Sequence, residues 1–174
     1  MLRILCVYYS RTGKTRRTME KVAQALNAEL IEITDGVNRR GAVGCLRSCL
    51  DAVRKSTRFL EAFQPSQPVR KYDAVIVGTP IWAGRCSSIV REFLKKYGRD
   101  CRQIAYVVTR GMEENRQEAV FQQMDLYTAR PHLCAVSLKA DCAGEDFWRE
   151  EFLREFEMKL AEQGAKHADE AEGN

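Results

Sequence analysis

Hydroxyls at positions 10, 12 and 15 surround a glycine in Ser10-Arg11-Thr12-Gly13-Lys14-Thr15. Where such a segment opens a helix it offers side-chain oxygens, a backbone that approaches closely and exposed N–H groups, which together cradle a phosphate. Arg11, Lys14, Arg16 and Arg17 add positive charge around it. Each hydrogen bond to a charged acceptor is worth about 1.5–3 kcal/mol net, so a handful holds a small ligand firmly. The bland alternative is a Ser/Thr-rich helix cap with incidental basic neighbours, because these residues favour N-caps anyway.

Two rival chemistries share parts of this segment. Gly13-Lys14-Thr15 mimics the end of a nucleoside-triphosphate loop, but Tyr8 stands where that motif needs its first glycine, and no strand ends in an acid placed to hold magnesium. A thiol phosphatase needs five residues between its cysteine and its arginine; Cys6 and Arg11 are separated by four, one residue short, and Cys6 lies inside an apolar run. Neither fits.

A second segment, Gly78-Thr79-Pro80-Ile81-Trp82-Ala83-Gly84-Arg85-Cys86-Ser87-Ser88, follows the apolar run Ala74 to Gly78. A tryptophan bounded by glycine, proline and small residues at a strand's carboxyl end suits a flat ligand stacked on the indole. Loop packing explains it as well. Cys86, beside Arg85 in an expected exposed loop, is the expected most reactive thiol, although a small residue before an N-cap at Ser87 or Ser88 accounts for it too.

Positioning these segments requires alternating elements. Leu2 to Tyr9 reads as a buried strand and Ser10 to Gly13 as its turn; Met19, Val22, Ala23 and Leu26 then recur at helical spacing. Ile4 to Tyr9 is too brief for a secretory hydrophobic region and is expected to be strand. Glu29 to Thr34 gives a second strand. Cys45, Leu46, Cys49, Leu50 and Val53, then Phe59, Leu60 and Phe63, predict a helix and connection that Pro65 and Pro68 end. Ala74 to Gly78 is the third strand, breaking at Thr79-Pro80. Ile89, Val90, Phe93, Leu94 and Tyr97 form a helical stripe closed by Gly98. Gln103 to Thr109 and His132 to Leu138 supply two more strands, with helices at Glu113–Tyr127 and Phe147–Leu160, the last carrying Trp148, Phe152, Leu153 and Phe156 inward.

Strands apolar on both faces and alternating with helices predict a doubly wound α/β domain with a five-stranded parallel sheet; for the order 2-1-3-4-5 its strand order reverses between the first and third strands. Ligands then bind beyond the strands' carboxyl ends where strand order reverses, so the turns after Tyr9 and Gly78 should face one another. One domain over residues 1–162 is expected, with 163–174 a fraying tail.

Composition bounds the rest. The 174 residues are 45% hydrophobic and 30% charged, with no apolar run long enough for a membrane span. The net charge of +4 conceals eight bases against two acids in 36–71 and eleven acids against four bases in 141–174. Those bases alternate with apolar residues at helical spacing, which reads as a solvated face rather than a nucleic-acid surface. Seven cysteines without a C-x-x-C are expected to be free thiols in a reducing, cytoplasmic setting.

Together, Ser-x-Thr-Gly-x-Thr after the first strand and Gly-Thr-Pro-Ile-Trp-Ala-Gly after the third resemble the flavodoxin family. The resemblance implies flavin mononucleotide (FMN) as cofactor. It assigns the phosphate to Ser10, Thr12, Gly13, Lys14 and Thr15, with Arg11 contributing backbone. The isoalloxazine ring falls to Thr79, Pro80, Ile81, Trp82, Ala83 and Gly84, and a third loop touching it to Thr109, Arg110, Gly111 and Met112. No residue is assigned a catalytic or metal-ligating role. Where many family members are acidic and place a second aromatic in the third loop, this chain is basic and offers Arg110 and Met112. The implied function is electron transfer, as a carrier or as the flavin subunit of a reductase, with a partner protein that is a reductase or an electron acceptor. Two alternatives stay open: an NAD(P)H-dependent FMN reductase acting on a quinone or other small acceptor, and a non-redox ligand-binding module. Oligomeric state is not legible.

Overall fold

The computed structural model describes residues 2–34, 63–111, 117–139 and 141–172, with side chains described as far as 166. Its strands are β1 (Ile4–Tyr8), β2 (Glu29–Glu32), β3 (Ala74–Trp82), β4 (Arg85–Cys86), β5 (Ile104–Arg110) and β6 (Ala135–Lys139). Its helices are α1 (Lys14–Ala25), α2 (Ser88–Tyr97), α3 (Gln117–Thr128) and α4 (Glu145–Glu172). The helix expected from Cys45 to Val53, with Phe59 and Leu60, lies outside the described residues, as does the start of the one expected from Glu113.

The parallel strands run β2-β1-β3-β5-β6, while β4 pairs antiparallel with the end of β3. Counting parallel strands alone, this is the expected 2-1-3-4-5; the two-residue β4 shifts the last two numbers. Strand alternation divides the core. Leu5, Val7, Val75, Val77, Ile104, Tyr106 and Val108 meet α2 and α3 on one face. On the other, Ile4, Cys6, Tyr8, Ala74, Ile76, Ala105 and Val107 meet Met19, Val22 and Ala23 of α1 and Phe152, Phe156 and Leu160 of α4. Burial on both faces is why these strands lack a polar alternate.

Four local readings change. The third strand does not stop at Gly78 but continues through Thr79 and Pro80 to Trp82. Pro80 is tolerated because β1 has ended, its last pair with β3 being Tyr8 and Gly78. Gly98 is not a left-handed helix cap: at φ −61 it leads into a 3₁₀ turn, Gly98–Asp100. Space is what it requires, since a Cβ there would lie 2.7 Å from Thr128 Cγ2. Helix α4 starts at Glu145, ahead of the expected Phe147, and continues to Glu172, past the expected end at Leu160. Its Trp148 points outward, 59% exposed and edge-to-face with Phe147, while Phe152 and Phe156 face the core.

Gly78 sets how closely α1 lies on the sheet. A Cβ at Gly78 would stand 2.5 Å from Met19 Cγ and 2.9 Å from Tyr8 Cβ, so helix and strand meet there without room for a side chain. The phosphate-type loop at the head of α1 is thereby held against the carboxyl ends of β1 and β3.

Candidate functional site

The first loop turns on Gly13, at φ 85, which precedes α1. This left-handed conformation suits glycine, and open space lies where its Cβ would stand. Ser10 Oγ accepts from the Gly13 N–H at 3.1 Å and so shapes the turn. The Gly13 carbonyl accepts from the Arg17 N–H at 3.0 Å and starts the helix. No side chain caps that N-terminus and no acid stands in its first turn. A helix terminus without a side-chain cap, with the positive end of the helix dipole behind its amides, is suited to an anion.

The hydroxyls of the loop do not share one environment. Thr12 is exposed and Ser10 half-buried. Thr15 is buried, and its hydroxyl bonds that of Thr109 at the end of β5, 2.8 Å away. The first and third loops therefore touch directly. Of the basic neighbours, Arg16 pairs with Glu32, while Lys14 and Arg17 pair with Asp141. Three of the four bases around this loop therefore have carboxylate partners, while the fourth, Arg11, lies over the Trp82 ring.

The second segment is a β-hairpin. Ile81 faces Cys86 and Trp82 faces Arg85 across the two-residue turn Ala83-Gly84, with φ 49 and 67. Positive φ at both central positions is the geometry of a type I′ turn. Thr79 Oγ1 accepts from the Ser87 N–H at 3.1 Å, and Ser87 Oγ caps α2 by accepting from the Val90 N–H at 3.2 Å. Thr79 is thus a buried strut of the hairpin. Trp82 is 8% exposed, edge-to-face with Tyr9 at 5.8 Å, and the Arg11 guanidinium lies 5.8 Å from its ring centre. The first two loops face one another through this Arg11–Trp82–Tyr9 contact.

Cys86 does not have the exposure expected of a reactive thiol. It is 1% exposed, and burial pushes its thiol up to about 12, outweighing the nearby Arg91 and Arg85 charges. In the third loop Thr109 is buried, Arg110 half-buried and Gly111 exposed. Met112 lies outside the described residues. Pro80 and Ile81 are half-buried beside them. The described members of all three assigned segments thus sit at one edge of the sheet.

Sequence reasoning missed two residues at this edge, Asp141 and Tyr9. Hydrogen bonds from Arg17 and then Lys14 hold the Asp141 carboxyl below its ordinary value. Its signal was a turn-rich Asp-Cys-Ala-Gly opening an acidic helix, but nothing local says which helix it meets. Among the described residues, no group of His, Cys, Asp or Glu is placed to hold a metal ion, and no helix is long and apolar enough to cross a membrane.

The family profile for flavodoxin matches residues 3–125. This chain belongs to the flavodoxin family. The match takes in the first two loops of the site and the third as far as Met112, but not Asp141. A comparison with curated proteins finds no match.

Solved structures share the flavodoxin fold. A Bacteroides eggerthii protein assigned as a flavoprotein is 21% identical, with 86% of this chain and 94% of that one covered and a TM-score of 0.69. A Lactobacillus acidophilus flavoprotein solved in complex with FMN is 19% identical, covering 85% and 99%, at 0.63. A WrbA-like flavodoxin from Agrobacterium tumefaciens is 15% identical, covering 94% and 99%, also at 0.63.

Proposed function

We propose that this chain binds FMN at the edge formed by residues 10–15, 79–84 and 109–111 and works as an electron carrier or as the flavin subunit of a reductase. The observation that carries the reading is the uncapped, acid-free N-terminus of α1, opened by left-handed Gly13 and facing the hairpin and the third loop. The residues present fit the group. Open space at Gly13 and Gly111 admits a ligand against backbone, and the first-turn amides with exposed Thr12 suit a phosphate.

Bound FMN supplies reversible electron and hydride transfer. The chain's own residues do the rest. Gly13 and the α1 amides bind the phosphate, and Thr15 and Thr109 hold the phosphate and ring loops together. The hairpin carrying Trp82 walls the ring side, its indole in a T-shaped contact with Tyr9 and with the Arg11 guanidinium over its ring. Arg110, where many family members carry an aromatic, favours accumulation of negative charge on a neighbouring ligand and so a higher potential than an acidic surround would give.

That same replacement favours a second reading, the NAD(P)H-dependent FMN reductase, since a ring face without an aromatic admits a nicotinamide. The test is the absorbance spectrum of the purified chain with its released cofactor identified, followed by anaerobic mixing with NADH and NADPH. A flavin spectrum with FMN released, and bleaching only with dithionite or a partner reductase, supports the carrier. Bleaching within seconds at sub-millimolar nicotinamide selects the reductase. A colourless chain that takes up no FMN overturns both and leaves the non-redox binding module.

A further inference from the structure

The loop between β6 and α4 delivers a carboxylate to the head of α1. Asp141 Oδ1 accepts from the Arg17 guanidinium at 2.6 Å and Oδ2 lies 3.3 Å from Lys14 Nζ. The loop is held in that position from both sides. The Asp141 N–H donates to Glu145 Oε2 at 2.8 Å, and Thr18 Oγ1 of α1 donates to Glu145 Oε1 at 2.7 Å. Asp141 adopts φ 64, a left-handed conformation that Asp and Asn tolerate better than other side chains with a Cβ. The helix itself carries no acid in its first turn, so this negative charge comes from 124 positions away from Arg17.

We propose that Asp141 is a specificity-determining counter-ion of the anion site, setting how much negative charge the first loop accepts. The proposal rests on the reading of residues 10–15 as a phosphate cradle. Asp141 offsets one of the two positive charges on Lys14 and Arg17 and so lowers the positive potential that the α1 N-terminus presents. A bare anion therefore gains little at this loop. A ligand must add contacts at the hairpin and third loop to bind well, which turns a generic anion trap into a site for a phosphate carried on a ring system. The pair is exposed, so its effect on a neighbouring anion is modest and screened by salt.

The test titrates the full chain, freed of flavin, with FMN and with riboflavin at low and high salt, near pH 5.5 and near pH 8. Asp141→Asn keeps the shape and the left-handed preference while removing the charge. It should tighten FMN about fivefold at low salt and leave riboflavin unchanged. The gain should be larger near pH 8, where the phosphate monoester, with a second pKa of about 6, is a dianion. Lys14→Met alone, whose folding does not depend on altering Asp141, should weaken FMN by a similar factor and spare riboflavin. FMN affinity unchanged or weakened by Asp141→Asn, or unchanged by Lys14→Met, overturns the proposal while wild type still prefers FMN. Equal wild-type affinity for FMN and riboflavin would instead remove the phosphate reading, and the counter-ion with it.

Discussion

Thr15 and Thr109, 94 positions apart in the chain, join hydroxyl to hydroxyl at 2.8 Å beneath the site. One opens the first helix and the other ends the fourth parallel strand, so this buried bond ties the loop assigned to a phosphate to the loop assigned to a ring. Thr109→Val strands the Thr15 hydroxyl in a buried position, which should cost about 1–3 kcal/mol of stability. The double variant Thr15→Val/Thr109→Val should cost less than the sum of the two single changes, because no polar group is then left unpartnered. Thr12→Ala, by contrast, touches an exposed side chain and should leave the unfolding midpoint alone while weakening FMN by roughly 1.5–3 kcal/mol. Denaturant unfolding and FMN titration check both halves; an FMN affinity untouched by Thr12→Ala removes Thr12 from the cradle.

Thiol reactivity should follow burial rather than neighbouring charge. Among the described cysteines, Cys142 is exposed, whereas Cys6, Cys86, Cys101 and Cys134 are buried and burial pushes each of their thiols up to about 12. Cys142 should therefore alkylate first of these five in the native chain, and Cys142→Ser should remove that phase. Peptide mapping after brief labelling decides it. Labelling of Cys86 as early as Cys142 would show that the hairpin opens in solution.

Ala83 occupies the first central position of the type I′ turn at φ 49, where a Cβ is strained. Asn tolerates the left-handed region and precedes glycine in the favoured Asn-Gly pair, so Ala83→Asn should stabilise the chain by about 0.5 kcal/mol. Ala83→Val should destabilise it by more, since a β-branched side chain is a genuine outlier there. Thermal melts of the two variants should move in opposite directions. Movement in the same direction would mean that the hairpin is not ordered as described.

Glu29 ties the edge strand β2 to the segment entering β3. Its carboxylate accepts from the Ser66 N–H at 2.8 Å, from the Ser66 hydroxyl and from the buried Tyr72 hydroxyl. Burial works to raise its pKa, but the hydrogen bonds from Ser66 and Tyr72 outweigh it and hold the carboxyl below 4.5. A folded-state pKa below the unfolded value contributes stability that is fully present above the unfolded pKa and lost as pH falls through the folded one. Glu29→Gln should therefore destabilise the chain at neutral pH, with the difference from wild type closing below about pH 4.5. A gap that stays constant from pH 7 to about pH 3 would assign the effect to packing instead.

The Tyr9–Trp82 edge contact shows what local sequence cannot reach. Apolar runs such as Ile4–Tyr8 and Ala74–Gly78 announce strands buried on both faces, because a run without polar alternates is stable only between two layers. Ser10 to Thr15 likewise declares a helix-opening turn, since hydroxyls and glycine serve the uncapped amides there. From these alone follow the α/β class, a parallel sheet and the strands' carboxyl ends as the place where a ligand would lie. Where each side chain there points was settled by partners distant in the chain. Trp82 turned into the core because Tyr9 offers its ring, Thr15 turned inward to Thr109, and Lys14 and Arg17 found Asp141, 127 and 124 positions away. Cys86 and Trp148 exchanged the expected burial for the same reason: hydrophobic periodicity gives a stripe, but the facing element decides its width. Periodicity and turn chemistry are local free energies and can be read residue by residue. Ion pairs and hydroxyl bonds across the sheet's edge depend on which elements the fold brings together, and only the tertiary structure supplies that.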